Sequence, residues 1–293
     1  MNRAIALAFL MTLIKASTNI ALKKGFHRIP PFIATYISVL ISTVFLWVTT
    51  FLFVPRGYFL NYKGILVFII IGLFAPTLVR TMTYYGIHTL GAGRSTPLRA
   101  MTPFFATIMA IIFLKESPHP IIFLGISLIV LGVAILAKKE EKDFVQWKPK
   151  YFIYPIAAAI LAGLAANLRK YGLDLMPQPI FASAVAATSS LVILTIYVIL
   201  RFRDNQMIRF HHKRELRFII IAAFLTSIGE VVDLAALLYG KVSLVVPIFA
   251  VTPLTVVFFS WIFLKEQEVV TKRLVLSTII ILFGIYISIV SAK

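Results

Sequence analysis

The sequence predicts an all-α integral membrane protein of ten transmembrane helices, arranged as two inverted five-helix repeats. Three observations predict it. Of 293 residues, 60% are hydrophobic and only 14% charged, more apolar surface than a soluble chain of this length can bury, so its solvent is lipid. Apolar runs long enough to cross a ~30 Å hydrocarbon core occur ten times. The stretch Pro97-Leu-Arg-Ala-Met-Thr-Pro103 recurs 150 residues later as Pro247-Ile-Phe-Ala-Val-Thr-Pro253, and both copies run without a gap into Ile-Phe-Leu-Lys-Glu, at 112–116 and 262–266. A chain made of one apolar unit used twice follows from that match.

Segment 1 covers 4–22; Lys15 interrupts it and no Ala-x-Ala-like exit follows, so it reads as a retained helix and not a cleaved signal. Segment 2 (31–53) lies between Pro30-Pro31 and Pro55, segment 3 covers 64–86, segment 4 (96–114) holds Pro97 and Pro103, and segment 5 (119–137) starts beside Pro118 and Pro120. Segment 6 (151–168) follows Pro149 and segment 7 (179–200) opens on Pro179, before segments 8 (216–239), 9 (243–264) and 10 (274–291). Proline at a segment edge costs little, because the N–H it lacks has no partner in a first helical turn. The charged stretch 138–150 reads as the linker between repeats covering 2–137 and 151–291.

The duplication extends beyond its opening motif. Asn19, Pro31, Ala34 and Thr35 align with Asn167, Pro179, Ala182 and Ser183 at an offset of 148. Five crossings per repeat is an odd number, so the second repeat enters the membrane inverted, an arrangement that places a working site near mid-membrane between the halves. Pro97, Pro103, Pro247 and Pro253 fall inside or near the start of segments 4 and 9. They read either as static kinks, tolerated where neighbours satisfy the freed carbonyls, or as paired bends that work as gates. Ala158, Ala162 and Ala166, with Gly163 beside them, form a small-residue ridge suited to close helix packing.

Charge is one-sided, with 29 Lys and Arg against 11 Asp and Glu and a net charge of +18. The cations sit in short stretches between apolar runs, which reads as loops facing anionic headgroups, and nucleic acid is not an expected partner. The linker side carries 18 Lys and Arg and the opposite side 8. That bias places the linker in the cytoplasm and both termini outside.

Apart from His119 and Arg217 at segment edges, five acidic or basic residues fall within the segments: Lys15, Arg80, Arg99, Glu230 and Asp233. Each costs roughly 2.5–3.5 kcal/mol at mid-helix on the insertion scale, so each needs a partner or a task. Arg80 and Glu230 lie 150 residues apart, the repeat offset, so one repeat position carries a cation in one copy and an anion in the other. They read as an ion pair locking the halves together, or as part of a site. Lys15 with Asn19, Arg80 with Tyr84, and Glu230 with Asp233 each share a helix face, and Asn167 extends the polar stripe to segment 6. Lys15 is too deep to snorkel easily and reads as cavity-facing. Arg99, a few residues inside segment 4, reads as snorkelling to the interface. Glu116 and Glu266 read as interfacial turn residues.

There is no Walker-type loop, no His-Glu-x-x-His and no acidic cluster at metal spacing. With no cysteine, thiolate metal sites and disulfides are excluded. No catalytic residue, metal or cofactor is predicted, the chain is not expected to be an enzyme, and any movement it drives would draw on a gradient or on exchange.

Two five-helix halves, each with Pro-x5-Pro running to Phe-Leu-Lys-Glu, resemble the EamA domain of the drug/metabolite transporter superfamily, whose signature matches here Pro103 with Glu116 and Pro253 with Glu266. The resemblance covers nearly the whole chain outside the linker. It implies a permease in the plasma or inner membrane with a central cavity, often an exporter of amino acids or related metabolites, with relatives that carry nucleotide sugars and sugar phosphates. It also implies both termini in the cytoplasm, opposite to the loop charge count. The expected function is alternating-access transport of a small polar metabolite, zwitterionic or anionic, coupled to a proton or a counter-substrate, by a monomer or a homodimer. Lys15 and Arg80 are expected to receive its negative group, and Glu230 and Asp233 an amino group or the proton. Two other readings stand beside it: a flippase for an anionic lipid headgroup, and a non-transporting membrane scaffold whose charges are all internal pairs.

Overall fold

Helix is the only regular structure among the described residues, as backbone surrounded by lipid requires. The computed structural model describes residues 2–25, 29–90, 95, 98–99, 101–137, 149–201, 213–252, 254–256, 258–259 and 272–290. Of the sequence expectations, the linker core 138–148, Pro97, Pro253 and Glu266 lie outside these residues. Six helices are long and apolar enough to cross a membrane: Asn2–Gly25, Pro31–Phe53, Tyr62–Leu90, Lys150–Leu175, Pro179–Leu200 and Arg214–Tyr239. Shorter apolar helices at Thr102–Phe113, Ile121–Gly132, Val242–Val256 and Ile279–Val290 overlap the other predicted segments. The outer surface is what lipid demands, with Phe51, Leu52 and Leu200 among many large apolar side chains facing outward.

In chain order the helices are α1 (Asn2–Gly25), α2 (Pro31–Phe53), α3 (Tyr62–Gly72), α4 (Arg80–Leu90), α5 (Thr102–Phe113), α6 (Ile121–Ala137), α7 (Ile153–Leu175), α8 (Pro179–Arg201), α9 (Lys213–Tyr239), α10 (Val242–Ile248) and α11 (Lys272–Val290). Their ends follow from local chemistry. Pro31 opens α2 at its first position, where no N–H is needed. The Asn61 side chain accepts from Gly64 N (3.1 Å) at the start of α3 and donates to Leu175 O (2.7 Å) at the end of α7, so one amide satisfies two helix termini.

Between α3 and α4 the chain makes a π-helical turn, Leu73–Val79, around Pro76. Proline cannot donate to the carbonyl four residues back, and Thr77 Oγ1 donates to Gly72 O instead (2.8 Å). A second irregularity follows Pro247, where α10 tightens into a 3-10 turn at Phe249–Val251.

Helices at equivalent repeat positions pack on one another, α2 against α8 and α6 against α11. The second pair meets backbone to backbone. A Cβ on Gly284 would lie 2.6 Å from Gly125 O and 3.0 Å from Ile129 N, and one on Gly125 would lie 2.7 Å from Gly284 O. We expect Gly284→Leu to force these helices apart, costing about 1–3 kcal/mol or more. Thermal unfolding in detergent checks this against Gly57→Ala, where an added Cβ meets nothing within 4 Å and no change is expected.

Candidate functional site

The polar faces of α1, α4 and α9, with parts of α7 and the chain around residues 95–103 and 246–252, enclose one cavity of about 230 Å³ between the two halves. A single water needs only ~10–15 Å³ on a comparable measure, so the space accommodates a solute. Lys15, Asn19, Arg80, Tyr84, Glu230 and Asp233 all line it, as does Pro103. Asn167 does not. Its amide donates to Ala106 O (3.0 Å) and Gly163 O (2.9 Å), clamping α7 to α5, where Gly163 already lets the backbones touch. The equivalent Asn19 kept the cavity position. The alanine ridge also does more than pack, since Ala162 and Ala166 form part of the wall.

Arg80 sits just after the π-helical turn and is buried. Its Nη2 donates to Glu230 Oε1 (2.5 Å) and its Nη1 to Ser38 Oγ (3.1 Å) and Ser42 Oγ (3.4 Å). Tyr84 OH donates to Ser38 Oγ and Ser227 Oγ to Ser42 Oγ, so α2, α4 and α9 share one network around this pair. The two residues found at one repeat position do meet.

A second ion pair was not foreseen. Arg169 Nη1 donates to Asp233 Oδ2 at 2.6 Å. Hydropathy ends segment 6 at 168 and puts Arg169 beyond it, whereas α7 continues to Leu175 and the arginine lines the cavity. The signal was Pro177, a stop that leaves room for two more turns beyond 168.

The snorkelling expectation for Arg99 is corrected. Its side chain lines the cavity and its Nη1 donates to Thr83 Oγ1 at 2.7 Å. Lys15 has no carboxylate within ion-pair distance among the described residues; its ammonium lies 4.0 Å from the centroid of the Phe249 ring. Among the described residues, four cations and two carboxylates therefore line the space.

In the first half the lining runs from mid-helix toward the C-terminal ends of α1 and α4, from Met11 to Leu22 and from Ala75 to Ile87. The opposite ends close in an apolar cluster that includes Ala8, Ala110, Leu173, Phe181, Leu237 and Val242. On this face Lys115 adopts a left-handed conformation (φ 52°) that ends the chain's run after α5 and delivers Glu116 to the second half. Glu116 Oε1 accepts from Val242 N (2.9 Å) and Oε2 from Ser243 N (3.1 Å), capping α10. The acidic end of the repeated motif thus ties one half to the other.

The model of the EamA-like transporter family matches residues 2–138 and 150–290, once in each half. No curated protein matches the chain. Among solved structures, one described only as a crystal structure of a protein is similar with a TM-score of 0.76 at 14% identity, over 98% of this chain and 97% of that one. At that identity the likeness shows a shared fold.

Proposed function

Since the chain belongs to the EamA-like transporter family, we propose that this multi-pass membrane protein is a secondary transporter of a small polar metabolite bearing negative charge. In this reading ten crossings form two inverted repeats in the plasma or inner membrane, and the halves rock about the linker, with bending near the repeated prolines, to expose the cavity to each side in turn. The observation that carries the proposal is a solute-sized cavity between the halves, lined by four cations and two carboxylates and shut at one end by apolar packing. Charged groups at this depth are costly and mark substrate pathways. A scaffold with all its charges internally paired would leave neither the cavity nor a Lys15 that meets no carboxylate among the described residues.

Counterflow in proteoliposomes tests the proposal. Vesicles preloaded with millimolar amino acids, organic acids or sugar phosphates, one class at a time, should accumulate the labelled compound of one class above equilibrium, as exchange or export requires. Absence of counterflow with every class, combined with movement of a labelled anionic lipid between leaflets, would replace this reading with the flippase.

A further inference from the structure

The two arginines held by repeat position 83/233 differ in what holds them. In the second half Arg169 is met by the Asp233 carboxylate, whereas in the first half Arg99 is met by the Thr83 hydroxyl. Thr83 and Asp233 are 150 residues apart, the repeat offset. A guanidinium beside a carboxylate is neutralised, while one beside a hydroxyl keeps its full charge in a poorly solvated space. Arg99 makes one hydrogen bond among the described residues, and its Nε is buried without a partner. Arg80, by contrast, makes three, one of them to Glu230.

Lys15 is the other cation of the cavity with no carboxylate within ion-pair distance among the described residues, and Asp233, Arg99 and Arg169 all act on it. The two internal pairs, Arg80 with Glu230 and Arg169 with Asp233, cancel within the protein. Lys15 and Arg99 remain, a surplus of two positive charges in a solute-sized cavity. A zwitterion would leave that surplus untouched and a monoanion would halve it. We infer that Lys15 and Arg99 form an anion subsite whose ligand is a small organic dianion, a dicarboxylate or a phosphate monoester, supplying the negative charge that position 83 lacks. This deepens the transport proposal by naming the substrate's charge.

Thermal stability of the purified full-length protein, measured with succinate, glycerol 3-phosphate, inorganic phosphate and leucine, tests the inference. One organic dianion should raise the midpoint of the wild type with an apparent affinity at least tenfold above that of leucine and of inorganic phosphate. Lys15→Gln and Arg99→Gln should each weaken that affinity at least tenfold. Whichever of succinate and glycerol 3-phosphate acts identifies the carboxylate or phosphate source. Thr83→Asp gives Arg99 an internal carboxylate, so it should raise the ligand-free midpoint and abolish the response to the dianion. A response to leucine equal to that of the dianions, no response to either dianion, or a Thr83→Asp protein that is destabilised and still responds would each overturn the inference. Counterflow of leucine with no dianion response would reject this subsite and leave the transporter reading intact.

Discussion

Arg80→Ala and Glu230→Ala should each destabilise the protein by about 3–5 kcal/mol, because each leaves a buried charge without its partner. The Arg80–Glu230 contact is 2.5 Å, and Arg80 is buried with Glu230 nearly so. The exchange Arg80→Glu with Glu230→Arg should recover a large share of the loss. Ser38 and Ser42 accept from a guanidinium at position 80 now, and their hydroxyls can donate to a carboxylate there. Thermal unfolding of the two singles and the exchange in detergent measures the coupling. An exchange as damaged as the sum of the singles would mean that the pair does not hold the halves together.

Lys15→Met should act in the opposite direction. It removes an ammonium that meets no carboxylate among the described residues, relieving roughly 2.5–3.5 kcal/mol of buried charge on the insertion scale. It also loses the contact with Phe249, worth up to about 2 kcal/mol when desolvated. The balance is a ligand-free protein more stable by about 1 kcal/mol, the usual sign of a residue kept for function at a cost in stability. A clear fall in the unfolding midpoint would make Lys15 a structural residue.

Much of this site was legible in the sequence, because a repeat offset is a spatial statement. Arg80 and Glu230 share one repeat position, and the structure brings these residues, 150 apart in the chain, together as an ion pair. Lys15 and Asp233 were legible because apolar surroundings make any charge conspicuous. Arg169 was not. Hydropathy stops a segment at the first cluster of charges, and it has no knowledge of a partner 64 residues away on α9. Arg99 was misjudged for a related reason: distance from a helix end says how far a side chain must snorkel, but nothing about a hydroxyl waiting on the neighbouring helix. Asn167 shows the limit of the repeat itself. Its counterpart Asn19 faces the cavity, yet the close approach of α5 at Gly163 offered the Asn167 amide two backbone carbonyls and turned it away. The π-helical turn at Pro76 has no counterpart in the repeat, where residue 226 is Thr in the continuous helix α9.

The central claim is that this cavity communicates with both sides of the membrane in turn. The chain contains no cysteine, so a single cysteine is a clean reporter. Thr18 lines the cavity on the side of the basic loops, and Ala8 lies fully buried in the apolar cluster that seals the other end. The measurement is the modification rate of Thr18→Cys and Ala8→Cys in reconstituted vesicles, with a membrane-impermeant thiol reagent applied from either face, with and without transported substrate. Thr18→Cys should react from the basic-loop face without substrate, and substrate turnover should slow this while opening Ala8→Cys to the opposite face. An Ala8→Cys protein that never reacts, beside a Thr18→Cys rate that substrate leaves unchanged, would contradict it and make the cavity a static pocket.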